Sequence, residues 1–187
     1  MDQRKVQPSI VMTKAKKKGL KFHAVPVAVV PYGGLSKMYE QYICEHFSIQ
    51  ELVSPEVFQE RGNKAWSLWN PLILKAADQF RKRYGPMFIN TWSLSKATQE
   101  IYGTRTESGL RIPGMNNYKV YSDHSRGNAI DAIFRDISAE DIRDDIIQGR
   151  IEFDFPVVIE CTINGKEISW LHFATRNMDS TVMELHL

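Results

Sequence analysis

Ser122-Asp123-His124-Ser125-Arg126-Gly127-Asn128-Ala129-Ile130-Asp131, answered further along the chain by Trp170-Leu171-His172, is the pair of segments on which the reading of this sequence turns. Two imidazoles and a carboxylate are the donor set of a zinc ion with three protein ligands, which leaves the fourth tetrahedral position open and so describes a catalytic rather than a structural metal. The local pattern is also physical. Gly127 permits a tight turn after His124, and Ala129 and Ile130 lead through Asp131 into Ala132-Ile133-Phe134, an apolar run that reads as a buried strand. His172 lies in Ile168-Ser169-Trp170-Leu171-His172-Phe173-Ala174, a second strand-like run rich in bulky and aromatic residues. Two neighbouring strands would present both ligands to one cleft. Taken singly, each residue also has an ordinary reading: His124 as a loop histidine, Asp131 as a hydrogen-bonder at a strand start, His172 as a core imidazole.

Ser-x-His-x-x-Gly-x-Ala-x-Asp is complete here as Ser122, His124, Gly127, Ala129 and Asp131, and Trp-x-His as Trp170 and His172. The pair resembles the motifs of the zinc D-alanyl-D-alanine carboxypeptidase and L-alanyl-D-glutamate endopeptidase family, the Hedgehog/D,D-peptidase fold of bacteria and phage endolysins. Upstream, Phe47-Ser48-Ile49-Gln50-Glu51-Leu52 is similar to the opening of the small phage-type branch. The helix beginning Asn70-Pro71-Leu72 and running through Tyr84, with proline at its first position, resembles the family's helix ahead of a first core strand, Pro86 to Asn90. The resemblance implies a zinc-dependent hydrolase of amide bonds in peptidoglycan stem peptides, phage-encoded, for lysis or wall penetration. It implies His124, Asp131 and His172 as zinc ligands, with Ser122 and Trp170 lining the substrate cleft.

Two positions depart from the family pattern. Family members follow the first strand with Ser-Gly-Tyr-Arg, whose arginine helps hold the substrate's carboxylate, whereas this chain reads Asn90-Thr91-Trp92-Ser93. Arg105, Arg111 and Arg126 are candidate replacements, although an arginine elsewhere need not reproduce the bidentate geometry. The acidic residue found three positions before the last histidine in better-known members is Ser169 here, and serine cannot act as a general base. Phe153-Asp154-Phe155-Pro156-Val157-Val158-Ile159-Glu160 resembles the acid-bearing strand of the phage-type branch and makes Glu160 the leading base, with Glu167 as a fallback. A non-catalytic module that keeps the metal for stability, serving as a phage structural or binding part, is the competing reading.

The hairpin signal Asn164-Gly165 makes the base assignment depend on register. A two-residue loop pairs Ile163 with Lys166 and Glu160 with Ser169, which turns Glu160 away from the face of His172. A three-residue loop with a bulge at Gly165 pairs Glu160 with Trp170 and brings it diagonally to His172. Regular alternation faces Glu167 away from His172.

The remaining sequence describes one domain of ordinary size. At 187 residues and 43% hydrophobic content the chain can bury a substantial core. No apolar run approaches the roughly 18 to 20 residues of a membrane span. The start, Met1-Asp2-Gln3-Arg4-Lys5-Val6, lacks a signal-peptide pattern, and Cys44 and Cys161 imply no disulfide framework. Both point to the cytoplasm, of a host cell or before virion packaging. Residues 1–44 read as a basic arm, with Lys14, Lys16, Lys17, Lys18 and Lys21, then a strand through Val25 to Val30 and a helix carrying Met38, Tyr39, Tyr42 and Ile43. With a net charge of only +2 and Phe22 alone for base stacking, specific nucleic-acid binding is not expected of the arm. Residues 45–187 form the zinc domain. Ser54-Pro55 and Ser138-Ala139-Glu140-Asp141 read as helix starts, the latter helix stopping at Gly149, and 103–121 as a long loop. Helices, then strand, helix and a terminal hairpin predict an α+β fold with an antiparallel sheet backing the metal.

Overall fold

The structure, a computed structural model, describes residues 41–163, 166–175 and, as backbone, 182–186. Among these residues three α-helices, α1 (Pro55–Arg61), α2 (Pro71–Tyr84) and α3 (Ala139–Ile147), accompany five strands, β1 (Met87–Phe88), β2 (Ala129–Phe134), β3 (Val157–Ile163), β4 (Lys166–Ala174) and β5 (Val182–His186). The helix starts follow their caps. Ser54, Asn70 and Ser138 accept hydrogen bonds from the backbone N–H of Val57, Leu72 and Asp141, and Pro55 and Pro71 occupy first-turn positions where no N–H is needed. Gly149, at φ +70°, turns the chain just after α3.

The sheet runs β1-β2-β4-β3-β5. Its first four strands are antiparallel, as expected; β5 departs from that pattern by pairing parallel to β3 at the edge. One face of the sheet carries Ile130, Phe173 and Ile159, which are cross-strand partners and fully buried. Phe80 of α2 meets Phe173 there at 4.8 Å between ring centroids, and Ile142 and Ile146 of α3 join the same core. The opposite face carries the alternate residues of the same strands, and the candidate site is built on it.

The segment 45–53 is not decorative. Ser48 N–H donates to Glu51 Oε1, closing the short turn Ile49–Glu51, and Arg81 of α2 reaches back to pair with Glu51 Oε2 at 2.6 Å while its guanidinium lies over the Phe47 ring. Both side chains of this ion pair are buried, so removing either partner would strand a buried charge, the costly way to break such a pair. Glu51 also accepts from Lys96 N–H, and its carbonyl accepts from Asn90 N–H. The chain leaving β1 is thereby drawn off the sheet, which is why β1 is two residues long rather than the five expected from Pro86 to Asn90.

Tyr42 and Ile43, expected at the end of a helix, are not helical. Asp78 of α2 instead holds this stretch extended by accepting from Tyr42 Oη and from the backbone N–H of Glu45 and His46. Cys44 sits in the core beneath it, where burial pushes its thiol well above the ordinary range, and Cys161 is likewise buried. The lysine-rich arm and the strand expected at 25–30 lie outside the described residues.

Candidate metal centre

Cross-strand pairing places three of the expected residues in one row. Asp131 of β2 pairs with His172 of β4, which pairs in turn with Glu160 of β3. Directly opposed residues share a face, so the three side chains project together. His172 Nδ1 lies 2.6 Å from Asp131 Oδ1, and His172 Nε2 lies 3.8 Å from Glu160 Oε1.

His124 joins the row from outside the sheet. It opens a short 3-10 turn, His124–Arg126, that ends at Gly127 with φ +66°. A Cβ on Gly127 would stand 2.2 Å from the Leu68 carbonyl oxygen, so both the turn and the packing require glycine. The buried His124 ring donates from Nδ1 to the Gly109 carbonyl at 2.8 Å, which leaves Nε2 as the atom facing Asp131 Oδ2, 3.3 Å away. A carbonyl on one ring nitrogen sets the tautomer and frees the other nitrogen to ligate. One ligand atom each from His124, Asp131 and His172 lies within 4.8 Å of the others, so this buried group can hold a metal ion. Burial raises the Asp131 carboxyl, but the hydrogen bonds and charges of His124 and His172 outweigh it and hold the group far below the ordinary carboxylate range.

The long loop, 103–121, supplies what lies behind these residues. Ser108 accepts from Asp131 N–H, Gly109 orients His124, and Arg111 Nη2 donates to Asp131 Oδ2 at 2.6 Å. No arginine follows β1 directly, where Asn90-Thr91-Trp92-Ser93 stands. Ser108-Gly109-Leu110-Arg111, within the loop, has serine, glycine and arginine in the order of the Ser-Gly-Tyr-Arg pattern, and this was the available signal. The glycine is sterically obligatory. A Cβ on Gly109 would lie 2.0 Å from the Leu52 carbonyl oxygen, so Gly109→Ala is expected to cost about 3 kcal/mol through overpacking against backbone. Urea denaturation checks this by a lowered midpoint with an unchanged slope.

The site opens into a cavity of about 820 Å³ lined by Ser122, Trp170, Glu160, Arg105 and Arg111 together with the three candidate ligands. That volume falls in the range of small-molecule and peptide-fragment sites. Ser122 and Trp170 thus line the same cavity as the three candidate ligands. Glu167 is exposed on β4 opposite Thr162 and lines no part of the cavity, the placement that regular alternation predicts and one that leaves it no role as a fallback base. Arg126 is exposed and outside it as well.

Neither expected hairpin register is the observed one. Ile163 pairs with Lys166, as a two-residue loop requires, yet Glu160 pairs with His172 rather than with Ser169 or Trp170, because the register slips between Glu160 and Thr162. The base candidate reaches the ligand face by a bulge in the strand and not by the length of the loop, whose residues Asn164 and Gly165 lie outside the described ones. Among the described residues no helix is long and apolar enough to cross a membrane. In comparisons with known proteins, no family model, curated sequence or solved structure matches this chain.

Proposed function

We propose that this chain is a zinc-dependent peptidase of the Hedgehog/D,D-peptidase type that hydrolyses an amide bond in peptidoglycan stem peptides, in a phage lysis or wall-penetration role. The observation that carries the reading is the row Asp131, His172 and Glu160 across three strands, with His124 closing on it and the whole group opening into one cavity. His124 through Nε2, Asp131 and His172 would hold the ion. When bound, zinc supplies a Lewis acid that polarises the scissile carbonyl and acidifies water.

The protein's own groups do the rest. Glu160, with 14% of its side chain exposed in the cavity wall, takes a proton from the attacking water and returns it to the leaving nitrogen. Arg111 fixes the orientation of Asp131 and is thereby occupied. Arg105 is not. Its Nε donates to Ser108 Oγ and, among the described residues, it makes no ion pair, while burial holds its pKa below that of ordinary arginine against the opposing pull of Asp131. A half-buried guanidinium without a carboxylate, facing a cavity, suits an anionic ligand group. Arg105 is the residue assigned to the substrate's carboxylate. A module that merely holds metal has no use for Glu160 and Arg105 in the cavity wall, and their placement supports hydrolysis over that alternative.

Arg105→Gln is expected to raise KM for a stem peptide by about 10- to 100-fold with little change in kcat, since a hydrogen bond to a charged group contributes about 1.5–3 kcal/mol. Steady-state kinetics on a synthetic stem peptide checks this. The function itself is tested by incubating the zinc-loaded full chain with purified stem peptides and weighing the products by mass spectrometry. Paired fragments that together gain one water support it, and intact peptides throughout would contradict it.

A further inference from the structure

Arg143 lies on α3, is 6% exposed, and donates its hydrogen bonds to backbone carbonyls: Nη1 to Trp170 O and Nη2 to Ile168 O, both at 3.1 Å. These carbonyls lie where β4 loses its neighbours. Pairing with β2 ends at Ala132 with Leu171, and regular pairing with β3 resumes only at Thr162 with Glu167. The guanidinium thus takes the place of the ladder donors. Buried carbonyls need such a partner, and the planar fork of arginine satisfies two at once where the single ammonium of lysine would not.

The same stretch sets where Glu160 points. Continued without interruption from Ile163 with Lys166 and Thr162 with Glu167, the register would pair Glu160 with Ser169, on the face opposite His172. The observed slip of three residues, an odd number, pairs Glu160 with His172 and moves it to the ligand face. We propose that Arg143 is a positioning residue: by clamping the Ile168 and Trp170 carbonyls it maintains the slip that carries Glu160 onto the metal face. The kinetic consequence rests on the reading of Glu160 as general base; the structural one does not.

Two measurements on the zinc-loaded full chain test this with Arg143→Lys, which keeps the charge and most of the stem. Cross-strand backbone nuclear Overhauser effects between Glu160 and His172 are expected to weaken or vanish, while those between Asp131 and His172 remain; persistence of both sets overturns the proposal. On a stem peptide, kcat is expected to fall about 10- to 100-fold with KM within about twofold, since a small misplacement of a catalytic group costs on that order. Arg143→Lys combined with Glu160→Gln should then be no slower than Glu160→Gln alone, whereas losses that multiply would show that Arg143 acts by another route. Should Arg143→Lys not fold, Arg143→Gln, whose amide still reaches one carbonyl, takes its place in both measurements. If the wild type turns over no stem peptide, the peptidase reading fails, and the Overhauser effects still decide the role of Arg143.

Discussion

Glu160→Gln is expected to lower hydrolysis of a stem peptide by roughly 10²- to 10⁴-fold while leaving metal content near that of the wild type. The amide keeps the size and the cavity position of the carboxylate but cannot accept a proton at neutral pH. Glu160 stands beside His172 on the side away from Asp131, with Oε1 3.8 Å from His172 Nε2, so its loss leaves the Asp131–His172 contact in place. Metal analysis and single-turnover kinetics on the same preparation separate the two effects. Glu167→Gln serves as the control and should change little, because Glu167 is exposed and outside the cavity. Equal rates for wild type and Glu160→Gln would remove Glu160 from the mechanism.

His172→Ala has the other large expected effect, on the metal itself. Altering groups that only orient ligands already costs about 10- to 100-fold in metal affinity, so deletion of a ligand should weaken zinc binding by more than about 100-fold. Elemental analysis after dialysis should find about one zinc per chain in the wild type and a small fraction of that in the variant. Thermal unfolding gives an independent reading, since an ion that binds only the folded state raises the wild-type midpoint and would leave that of His172→Ala almost unmoved. Unchanged zinc content in His172→Ala would overturn the ligand assignment.

Local chemistry was legible where neighbours in sequence dictate it. Asn70-Pro71 and Ser138 announce α2 and α3 because cap and first-turn preferences act within a few residues. Gly127 is legible for the same reason: the turn that brings His124 round needs a positive φ immediately after it. The approach of Asp131 and His172 followed from putting two strands side by side, which required only that each fall in a strand.

What stayed hidden depends on contacts distant in sequence. The register slip that delivers Glu160 has no mark in the turn signal of the hairpin; it lies beside carbonyls of Ile168 and Trp170 that accept from Arg143, a residue of another element. The loop 103–121 read as a long loop of the kind that carries function, but its wiring of the site through backbone groups, the Ser108 carbonyl to Asp131 and the Gly109 carbonyl to His124, was hidden, because backbone groups carry no signature in composition. Arg111 and Arg105 were both candidates, and their division of labour, one spent on Asp131 and one left to the cavity, is a matter of a few ångströms. The parallel pairing of β5 with β3 likewise has no local mark.

If His124, Asp131 and His172, with Glu160 beside them, form the catalytic zinc centre proposed, hydrolysis must depend on the ion. The most direct test is to remove metal from the full chain with a chelator and titrate zinc back while following hydrolysis of a stem peptide. Activity absent in the metal-free protein, rising in proportion to added zinc and breaking at about one ion per chain, is the predicted result. Full zinc occupancy with no hydrolysis, or hydrolysis that proceeds unchanged in the metal-free protein, would contradict it.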